Sequence, residues 1–408
     1  MARTIYLFLT LFTLFMAPNI SGAIDLDYKI VQSISLGISL FVIFFYGRLD
    51  NNFKEMNWLL VLVIFFALFK MYTDRGEGAR MASLQVLGAP IMLSAYWQIT
   101  RGGHIHDGGV EVWSKIFKYI IVFFFCITLI ALYERIVGTQ VFGWSNTSST
   151  LDYVGSADYR SVSIMGHPLY NALVVTIFIS FILVSPLKPL YKFSIWIIGY
   201  AAILCFNTRS SIVGNALLLA AYLLYMLFAD RKLSAASKFF ILFFACIAVA
   251  LGAYLFFRVG LGGRLLEYGL FDDDSAAVRV DLWRMFDYVN YEKMLWGMPL
   301  EEIRMIMYRA GIGIIENFWI NILFSLGTVF FIPYVLIYVL LIRRMYKGWN
   351  WFNACFSAGA FVLIASTNNS LSSCFFALFF FLICIIVFSP DNFSRILGNK
   401  YLVEEAQN

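Results

Sequence analysis

The sequence predicts an all-α, polytopic membrane protein, and its composition and its repeated apolar runs are the two observations behind that prediction. Of the 408 residues, 61% are hydrophobic, 18% are aromatic and only 13% are charged, whereas about a quarter of the residues of a soluble domain are charged. One soluble core of this length could not bury so much apolar sequence. The apolar runs recur along the chain, and many approach the roughly 20 residues that a helix needs to cross a bilayer.

Twelve of these runs are predicted to be membrane spans within a single transmembrane domain, residues 1–408. They lie approximately at 5–24, 30–47, 57–72, 82–99, 117–134, 167–184, 193–207, 211–228, 239–257, 317–342, 352–366 and 373–389. The first run also fits a signal peptide, because Arg3 supplies a basic end and Ser21-Gly22-Ala23 a small-residue cleavage site. We favour an uncleaved first span, since many further spans follow it.

The distribution of lysine and arginine predicts which ends of the spans face the cytoplasm. With the N-terminus inside, the inner segments hold sixteen basic residues and the short outer loops hold seven. Cytoplasmic loops carry the excess of Lys and Arg in membrane proteins, so both termini are predicted to be cytoplasmic. The net charge of +5 reflects these loops, and it gives no reason to expect nucleic acid as a partner.

A long outer loop, residues 258–316, lies between the ninth and tenth spans and is predicted to be folded. Asp272-Asp273-Asp274-Ser275 can cap a first helix. The apolar positions of that helix recur at helical spacing, and they are Val278, Leu282, Phe286 and Val289. A second helix is indicated by Pro299, by Glu301-Glu302 in its first turn, and by Gly311 where it ends.

Three polar patches at the outer ends of spans form the candidate site. They are Arg160 to Pro168, Asn207 to Ser211, and Glu316-Asn317. Near a bilayer, a charge is placed where it contacts another charge, a lipid head group or water. Two guanidiniums and one carboxylate at one membrane face therefore predict a site for an anionic, lipid-linked substrate. A simpler alternative stays open for each: Arg160 snorkels to head groups, Arg209 is an interfacial anchor, and Glu316 complements a helix dipole.

Several side chains in and near these patches suit phosphate oxygens. Arg209 is held at the membrane face because its loop is short, and Ser210 beside it adds a hydroxyl donor. Arg160 is predicted to hold a further anionic oxygen. Arg279, on the first helix of the long loop, is another candidate, with an ion pair to Asp281 or to Glu292 as its alternative role.

No metal site and no cofactor is predicted. The six cysteines lie within or at the edges of apolar runs and form no CxxC pair, which is typical of small buried hydrophobic residues. The pair His104-x-His106 has only Asp107 beside it as a further ligand. The aspartates at 272–274 are interpreted as helix-capping residues.

The order of the patches along the chain, and their predicted location at one side of the membrane, resemble those of a known family. Arg160 precedes Gly166-His167-Pro168-Leu169-Tyr170-Asn171, and Asn207-Thr208-Arg209-Ser210 forms a short turn later in the chain. These are similar to the arginine before a Pro-Asn helix start, and to the Ser-Arg turn, of the O-antigen ligase and O-antigen polymerase superfamily of bacterial inner-membrane proteins. The large outer loop with Arg279 and Trp283, and twelve spans with both ends inside, also fit that family.

The resemblance implies glycosyl transfer at the periplasmic face of the inner membrane, with no metal and no cofactor. The implied donor is a glycan on undecaprenyl pyrophosphate. Arginines neutralise the pyrophosphate leaving group while an acceptor hydroxyl attacks the anomeric carbon. The implied partners are these lipid-linked glycans, the lipid bilayer and, for a polymerase, a chain-length regulator protein.

The ligase branch of the family has a His-Asn pair followed by Gly and a small residue, and this chain departs from that pattern. Glu316 stands at the histidine, Asn317 at the asparagine, Gly327 at the glycine and Phe330 at the last small position. This departure favours a polymerase of O-antigen or a related surface polysaccharide. Glu316 is then the predicted general base, with His167 as the second catalytic candidate. The predicted substrate-binding residues are Arg160, Arg209, Arg279, Ser210 and Asn317.

Two alternatives remain. One is the ligase, which moves a finished chain to its lipid acceptor. The other is a flippase that transports the lipid-linked unit. Transporters commonly show two similar halves and helices broken near the midplane, and we find neither in the sequence. The clustering of charge at one face favours an enzyme.

Overall fold

The computed structural model describes residues 12, 16–46, 65, 91–92, 110–142, 159–229, 234–268, 281–313, 315–367 and 376–397, and within these ranges the chain is helical with no strand. The helices are α1 Pro18–Ala23, α2 Tyr28–Tyr46, α3 Val110–Val137, α4 Pro168–Val184, α5 Pro189–Phe206, α6 Arg209–Leu224, α7 Ala235–Phe257, α8 Gly263–Tyr268, α9 Tyr291–Trp296, α10 Leu300–Arg309, α11 Phe318–Leu326, α12 Thr328–Met345, α13 Trp351–Ser366, α14 Phe376–Val387 and α15 Pro390–Leu397. The predicted spans at 57–72 and 82–99 lie almost entirely outside the described residues. Arg279 and the aspartates at 272–274 lie wholly outside them.

The described part of the chain confirms the all-α prediction, and several of its helices are long and apolar enough to cross a membrane. Five stretches are long and apolar enough to cross a membrane, and they are residues 113–137 of α3, α5, α6 with its π-helical continuation to Ala229, α7, and α12. The pair α14 and α15, bent by 75°, makes a sixth if it counts as one span. α4 and α13 are shorter apolar helices.

α4 forms the centre of the bundle. Its side chains from Asn171 to Val184 are all buried, as expected of a helix that is apolar all round. α5, α13 and α14 pack against it. The Asn353 side chain at the start of α13 donates to the carbonyl oxygen of Val184 at the end of α4, at 3.2 Å. α4 and α13 are therefore antiparallel neighbours.

The ends of the helices divide the bundle into two faces. One face, which we call the site end, collects the last residues of α3, α5, α7 and α13 and the first residues of α4, α6 and α11. Hydrogen bonds join them there, including Ser161 N to Cys205 O at 3.1 Å and Arg135 to Gly260 O at 3.4 Å. All three polar patches lie at the site end.

Basic side chains collect at the opposite end. Arg343 and Arg344 lie in the last turn of α12 and Arg395 in α15. Lys192, the residue before the predicted span at 193–207, lies inside the first turns of α5. It is buried, and its Nζ donates to Leu183 O at 2.8 Å and to the Tyr222 hydroxyl at 3.2 Å. This lysine satisfies a helix-terminal carbonyl group.

The prediction of one continuous span over 317–342 is wrong. The chain breaks at Gly327, with φ of 78°, into α11 and α12. A Cβ atom at Gly327 would collide with the backbone nitrogen of Gly297 and the carbonyl oxygen of Leu295. Only glycine combines this positive φ with so close an approach of two backbones. The break therefore lies against the long loop.

The long loop folds around a core of its own. Its buried members, together with two residues of α11, are Leu282, Met285, Val289, Met298, Ile303, Ile306, Ile312, Ile315, Ile320 and Phe324. The predicted second helix is confirmed as α10, with Pro299 at its N-cap and Gly311, φ 73°, just beyond its end. The predicted first helix begins outside the described residues, and its described end continues as a 3-10 helix over Leu282–Tyr288.

α11 connects the two cores. Phe318 and Ile322 belong to the core of the bundle, whereas Ile320 and Phe324 belong to the core of the loop. The carbonyl oxygen of Phe324 also accepts from the Met298 N–H at 2.8 Å. The folded loop is thus attached to the site end of the bundle through α11.

Candidate functional site

The first two polar patches are direct neighbours. Ser161 N donates to Cys205 O at 3.1 Å, so the segment that follows Arg160 runs beside the last turn of α5. Asn207 ends α5 in the left-handed conformation, with φ of 54°, which asparagine tolerates better than most residues. Its Nδ2 donates to Tyr159 O at 3.2 Å. These contacts bring the backbones of Arg160 and Arg209 to one place.

Arg209 is the first residue of α6 and is only 6% exposed. Two hydroxyl groups near it, Thr208 Oγ1 and Ser211 Oγ, are buried and have no hydrogen-bond partner among the described residues. Ser210 is half-buried. A helix N-terminus with a guanidinium and unused hydroxyl donors is an arrangement suited to an anion.

Arg160 is half-buried and lies between two fixed neighbours. Tyr159 and Ser161 are both buried, and the main chain of each is hydrogen-bonded to another segment. The position of the Arg160 backbone is therefore determined, while its side chain retains access to solvent.

His167 caps α4, and this contact occupies one of its two ring nitrogens. Its Nδ1 accepts from the Leu169 N–H at 3.2 Å, and its ring lies 4.9 Å from that of Tyr170. Burial lowers the pKa of His167 to about 4, so the imidazole is neutral at neutral pH. With Nδ1 accepting, Nε2 carries the proton and can donate.

Asn317 caps α11, directly after the half-buried Glu316. Asn317 Oδ1 accepts from Trp319 N at 2.9 Å and from Ile320 N at 3.2 Å. Asn317 Nδ2 donates to Ser366 O at 3.4 Å, and Trp319 Nε1 donates to Ser366 Oγ at 2.7 Å. The amide of Asn317 is thus used to join the start of α11 to the end of α13.

Helix α13 connects the third patch, Glu316-Asn317, to the second, Asn207 to Ser211. The Ile364 side chain in the last turns of α13 packs against Gly214 in α6, where an added Cβ would lie 2.7 Å from Ile364 Cδ1. Since Gly214 follows Arg209 by little more than one helical turn, Glu316 and Arg209 belong to one connected end of the bundle.

The residues that support these patches were not predicted from the sequence. Glu134 and Arg135, at the end of α3, both bind the segment around Arg160. Asn215 Nδ2 donates to Thr176 Oγ1 at 2.8 Å and ties α6 to α4. A signal for the first pair was present, because ionisable residues at the end of an apolar run are functional candidates by default.

Among the described residues, no group of three or more His, Cys, Asp or Glu side chains could hold a metal ion. Arg279 lies outside the described residues, so its predicted role in substrate binding stays a prediction. Comparisons of this chain with models of protein families, with curated proteins and with solved structures find no match.

Proposed function

We propose that this protein is a membrane glycosyltransferase that polymerises lipid-linked oligosaccharide repeat units. The donor is a glycan on undecaprenyl pyrophosphate, and the product is O-antigen or a related surface polysaccharide. The observation that carries the proposal is the meeting of the Arg160 and Arg209 segments at the end of the bundle where Glu316 opens α11. Two guanidiniums and a carboxylate at one end of the bundle suit transfer from an anionic leaving group.

In the proposed reaction, a hydroxyl group of the acceptor glycan attacks the anomeric carbon of the donor. The bond from that carbon to the pyrophosphate oxygen breaks, and undecaprenyl pyrophosphate leaves with the electron pair. Arg160 and Arg209 bind the pyrophosphate oxygens bidentately. The hydroxyl groups of Thr208, Ser210 and Ser211 and the N-terminus of α6 add donors for the same charge.

Glu316 is the proposed base for the proton of the acceptor hydroxyl. It is the only carboxylate within the three patches. His167 serves as a donor in this scheme, because its Nδ1 already accepts from Leu169 N. Asn317 fixes the start of α11 and thereby the position of Glu316. Arg279 is a further proposed contact to the glycan or to pyrophosphate.

The proposed setting is the bacterial inner membrane, with twelve spans, both termini in the cytoplasm and the site end facing the periplasm. The basic side chains at the end opposite the site support this orientation, since cytoplasmic ends carry the excess of Lys and Arg. Reporter fusions test it. A fusion at Lys347 should report the cytoplasm and one at Glu301 the periplasm, and the reverse result would contradict the proposed side of the reaction.

Loss of the protein tests the polymerase function in the native host. Surface lipid should then carry one repeat unit and no ladder of longer chains. Complete absence of capped lipid would indicate a ligase instead, and lipid-linked units trapped on the cytoplasmic side would indicate a flippase. The break at Gly327 lies against the long loop, so it gives no support to a transport site near the midplane.

A reconstituted reaction tests the chemistry directly. Purified protein in liposomes, supplied with undecaprenyl-pyrophosphate-linked repeat units, should release undecaprenyl pyrophosphate and extend the glycan. The reaction should proceed in the presence of a chelator. Release of pyrophosphate lipid without chain extension would contradict a polymerase, since hydrolysis alone gives that product.

A further inference from the structure

The Glu134 carboxylate is fully buried and binds three backbone N–H groups. Its Oε2 accepts from Val162 N and Ser163 N, each at 2.9 Å, and its Oε1 accepts from Val141 N at 3.1 Å. A buried charge is tolerated only where hydrogen bonds satisfy it. The path of the main chain just after Arg160 is therefore coupled to this carboxylate.

The residue after Glu134 holds the main chain just before Arg160. Arg135 donates to Tyr159 O at 3.1 Å, and the Tyr159 hydroxyl donates back to the carbonyl oxygen of Glu134 at 2.9 Å. Burial, with the Glu134 carboxylate as a smaller cause, raises the pKa of Tyr159 to about 12. The phenol therefore stays a neutral donor over the physiological range.

We propose that Glu134 is the positioning residue for Arg160, and this inference rests on the proposed function of that arginine. The Glu134 carboxylate holds the backbone N–H groups just after Arg160. Arg135 and Tyr159 hold the main chain just before it. Arg160 thus extends from a backbone held on both sides, with its own side chain half-buried. Such preorganisation is what electrostatic stabilisation of a leaving group requires.

The charge of Glu134 has a role distinct from simple attachment of the segment to α3. Two serine hydroxyls already attach it, since Ser161 Oγ donates to Ala131 O at 2.8 Å and Ser163 Oγ donates to Ile127 O at 2.9 Å. Glu134 adds hydrogen bonds to an ionised acceptor, which are roughly twice as strong as neutral ones. Ser161→Ala is therefore a matched control that removes an attachment and leaves the carboxylate in place.

Hydrogen exchange provides a test that does not depend on activity. In Glu134→Gln, an amide replaces one oxygen, so at least one of the three backbone donors loses its acceptor. Exchange in the peptide 159–166 should become faster in full-length protein in lipid nanodiscs, and by more than in Ser161→Ala. Exchange in α10, within the separate core of the loop, should stay unchanged. Unchanged exchange at 159–166 in Glu134→Gln would overturn the inference.

Chain growth provides the second readout. Glu134→Gln should slow it by up to about 10²-fold, the loss expected from displacing a positioned group. If Glu134 acts through Arg160, the same substitution should cost clearly less in an Arg160→Lys background, because interacting residues are not additive. Equal losses in both backgrounds would overturn the inference.

The two proposals fail in different ways. If the wild-type protein itself supports no chain growth, the proposed function fails, and the exchange result alone decides whether Glu134 holds the segment. If wild-type protein is active and Glu134→Gln grows chains at the normal rate despite faster exchange, the positioning role is refuted while the proposed function stands.

Discussion

Asn207 and Tyr159 are joined by one hydrogen bond, from Asn207 Nδ2 to the Tyr159 carbonyl oxygen at 3.2 Å. Tyr159 immediately precedes Arg160, and Asn207 precedes Arg209 by two positions. One side-chain amide therefore relates the two arginines that the sequence analysis singled out. The other end of the same amide, Oδ1, accepts from Arg264 N at 3.2 Å, which adds the start of the long loop.

The first prediction concerns these two arginines. Arg160→Ala and Arg209→Ala should each abolish chain growth while protein still accumulates in the membrane. Lysine should restore little activity at either position, because it keeps the charge but loses the bidentate fork. Arg284→Ala is the control, since Arg284 is exposed and pairs with Asp281, the residue before the 3-10 helix, at 3.1 Å. This variant should grow chains normally. A fully active alanine variant would assign its arginine to membrane anchoring.

The second prediction separates stability from binding at Ser211. Its hydroxyl is buried without a partner among the described residues, and an unsatisfied buried group is destabilising. Ser211→Ala should therefore leave the free energy of unfolding in detergent unchanged or raise it by about 1 kcal/mol. Chain growth should nevertheless fall by about tenfold if that hydroxyl donates to a substrate phosphate, since a hydrogen bond to a charged group contributes about 1.5 kcal/mol or more.

Ser161→Ala should have the opposite effect on stability. The Ser161 hydroxyl donates to Ala131 O at 2.8 Å, so its removal leaves a buried carbonyl group with one partner fewer and should lower stability. A stability loss in Ser211→Ala as large as that in Ser161→Ala would show that Ser211 has a structural partner, and would remove it from the proposed phosphate site.

The third prediction is a dependence of stability on pH. Burial lowers the pKa of His167 from 6.5 to about 4, so the unfolded chain binds a proton between these values that the folded chain does not. Stability from this group is fully present above about pH 6.5 and is lost as the pH falls toward 4, with a slope of up to about 1.4 kcal/mol per pH unit.

His167→Asn should remove that dependence. Asparagine can still accept at the N-cap of α4 but does not titrate. Thermal unfolding measured at pH 7.5 and at pH 5 should show a larger acid loss in the wild-type protein than in the variant. Equal losses in both proteins would mean that His167 is solvated and titrates normally.

The fourth prediction tests the break between α11 and α12. In Gly327→Ala, the new Cβ atom would lie at a residue with positive φ and would collide with the backbone of Gly297. The variant should be destabilised by several kcal/mol, because the positive φ alone would cost only about 1 kcal/mol. Gly313→Ala is the matched control. Gly313 lies between α10 and α11, has open space around it and has no positive φ. If both alanine variants unfold at the same temperature, the backbones of 297 and 327 do not approach as described.

Much of the fold follows from the sequence because the apolar runs are long. The helix bounds of α4, α5 and α7 agree with the predicted spans within a few residues, and α10 begins after Pro299 and ends before Gly311 as its capping signals indicate. The break at Gly327 was missed because the residues on both sides of it are equally apolar. What decides the break is the contact with Gly297, and a contact between distant residues leaves no mark on local periodicity.

The candidate site was predicted mainly from its charged residues. Arg160, Arg209 and Glu316 were predicted to form it because charged residues beside apolar runs are candidates for function. Asn207 was identified only as part of a turn, and Glu134 was taken as the last residue of a span. The charge of Glu134 at the end of an apolar run was a signal, but the backbone donors and acceptors that Glu134 and Asn207 bind exist in every residue, so the sequence does not identify these partners.

The last prediction assigns proton transfer to Glu316. The neighbouring Asn317 has another role, since its Oδ1 accepts from Trp319 N and Ile320 N at the start of α11. His167 Nδ1 accepts from Leu169 N, which leaves a donor at its other nitrogen. Glu316 is half-buried at the end of the bundle that also holds the two arginines, and a carboxylate there can remove the proton of an acceptor hydroxyl.

Glu316→Gln keeps the size of the side chain and removes its charge. It should slow chain growth by about 10²–10⁴-fold, the usual effect of removing a general base, while binding of undecaprenyl-pyrophosphate-linked donor to the purified protein stays close to normal. Glu301→Gln is the matched control, because Glu301 is an exposed carboxylate in the first turn of α10, and it should leave both measurements unchanged. Loss of donor binding in Glu316→Gln would instead make Glu316 part of the substrate-binding surface, and normal chain growth at an equal protein level would assign the proton to another acceptor.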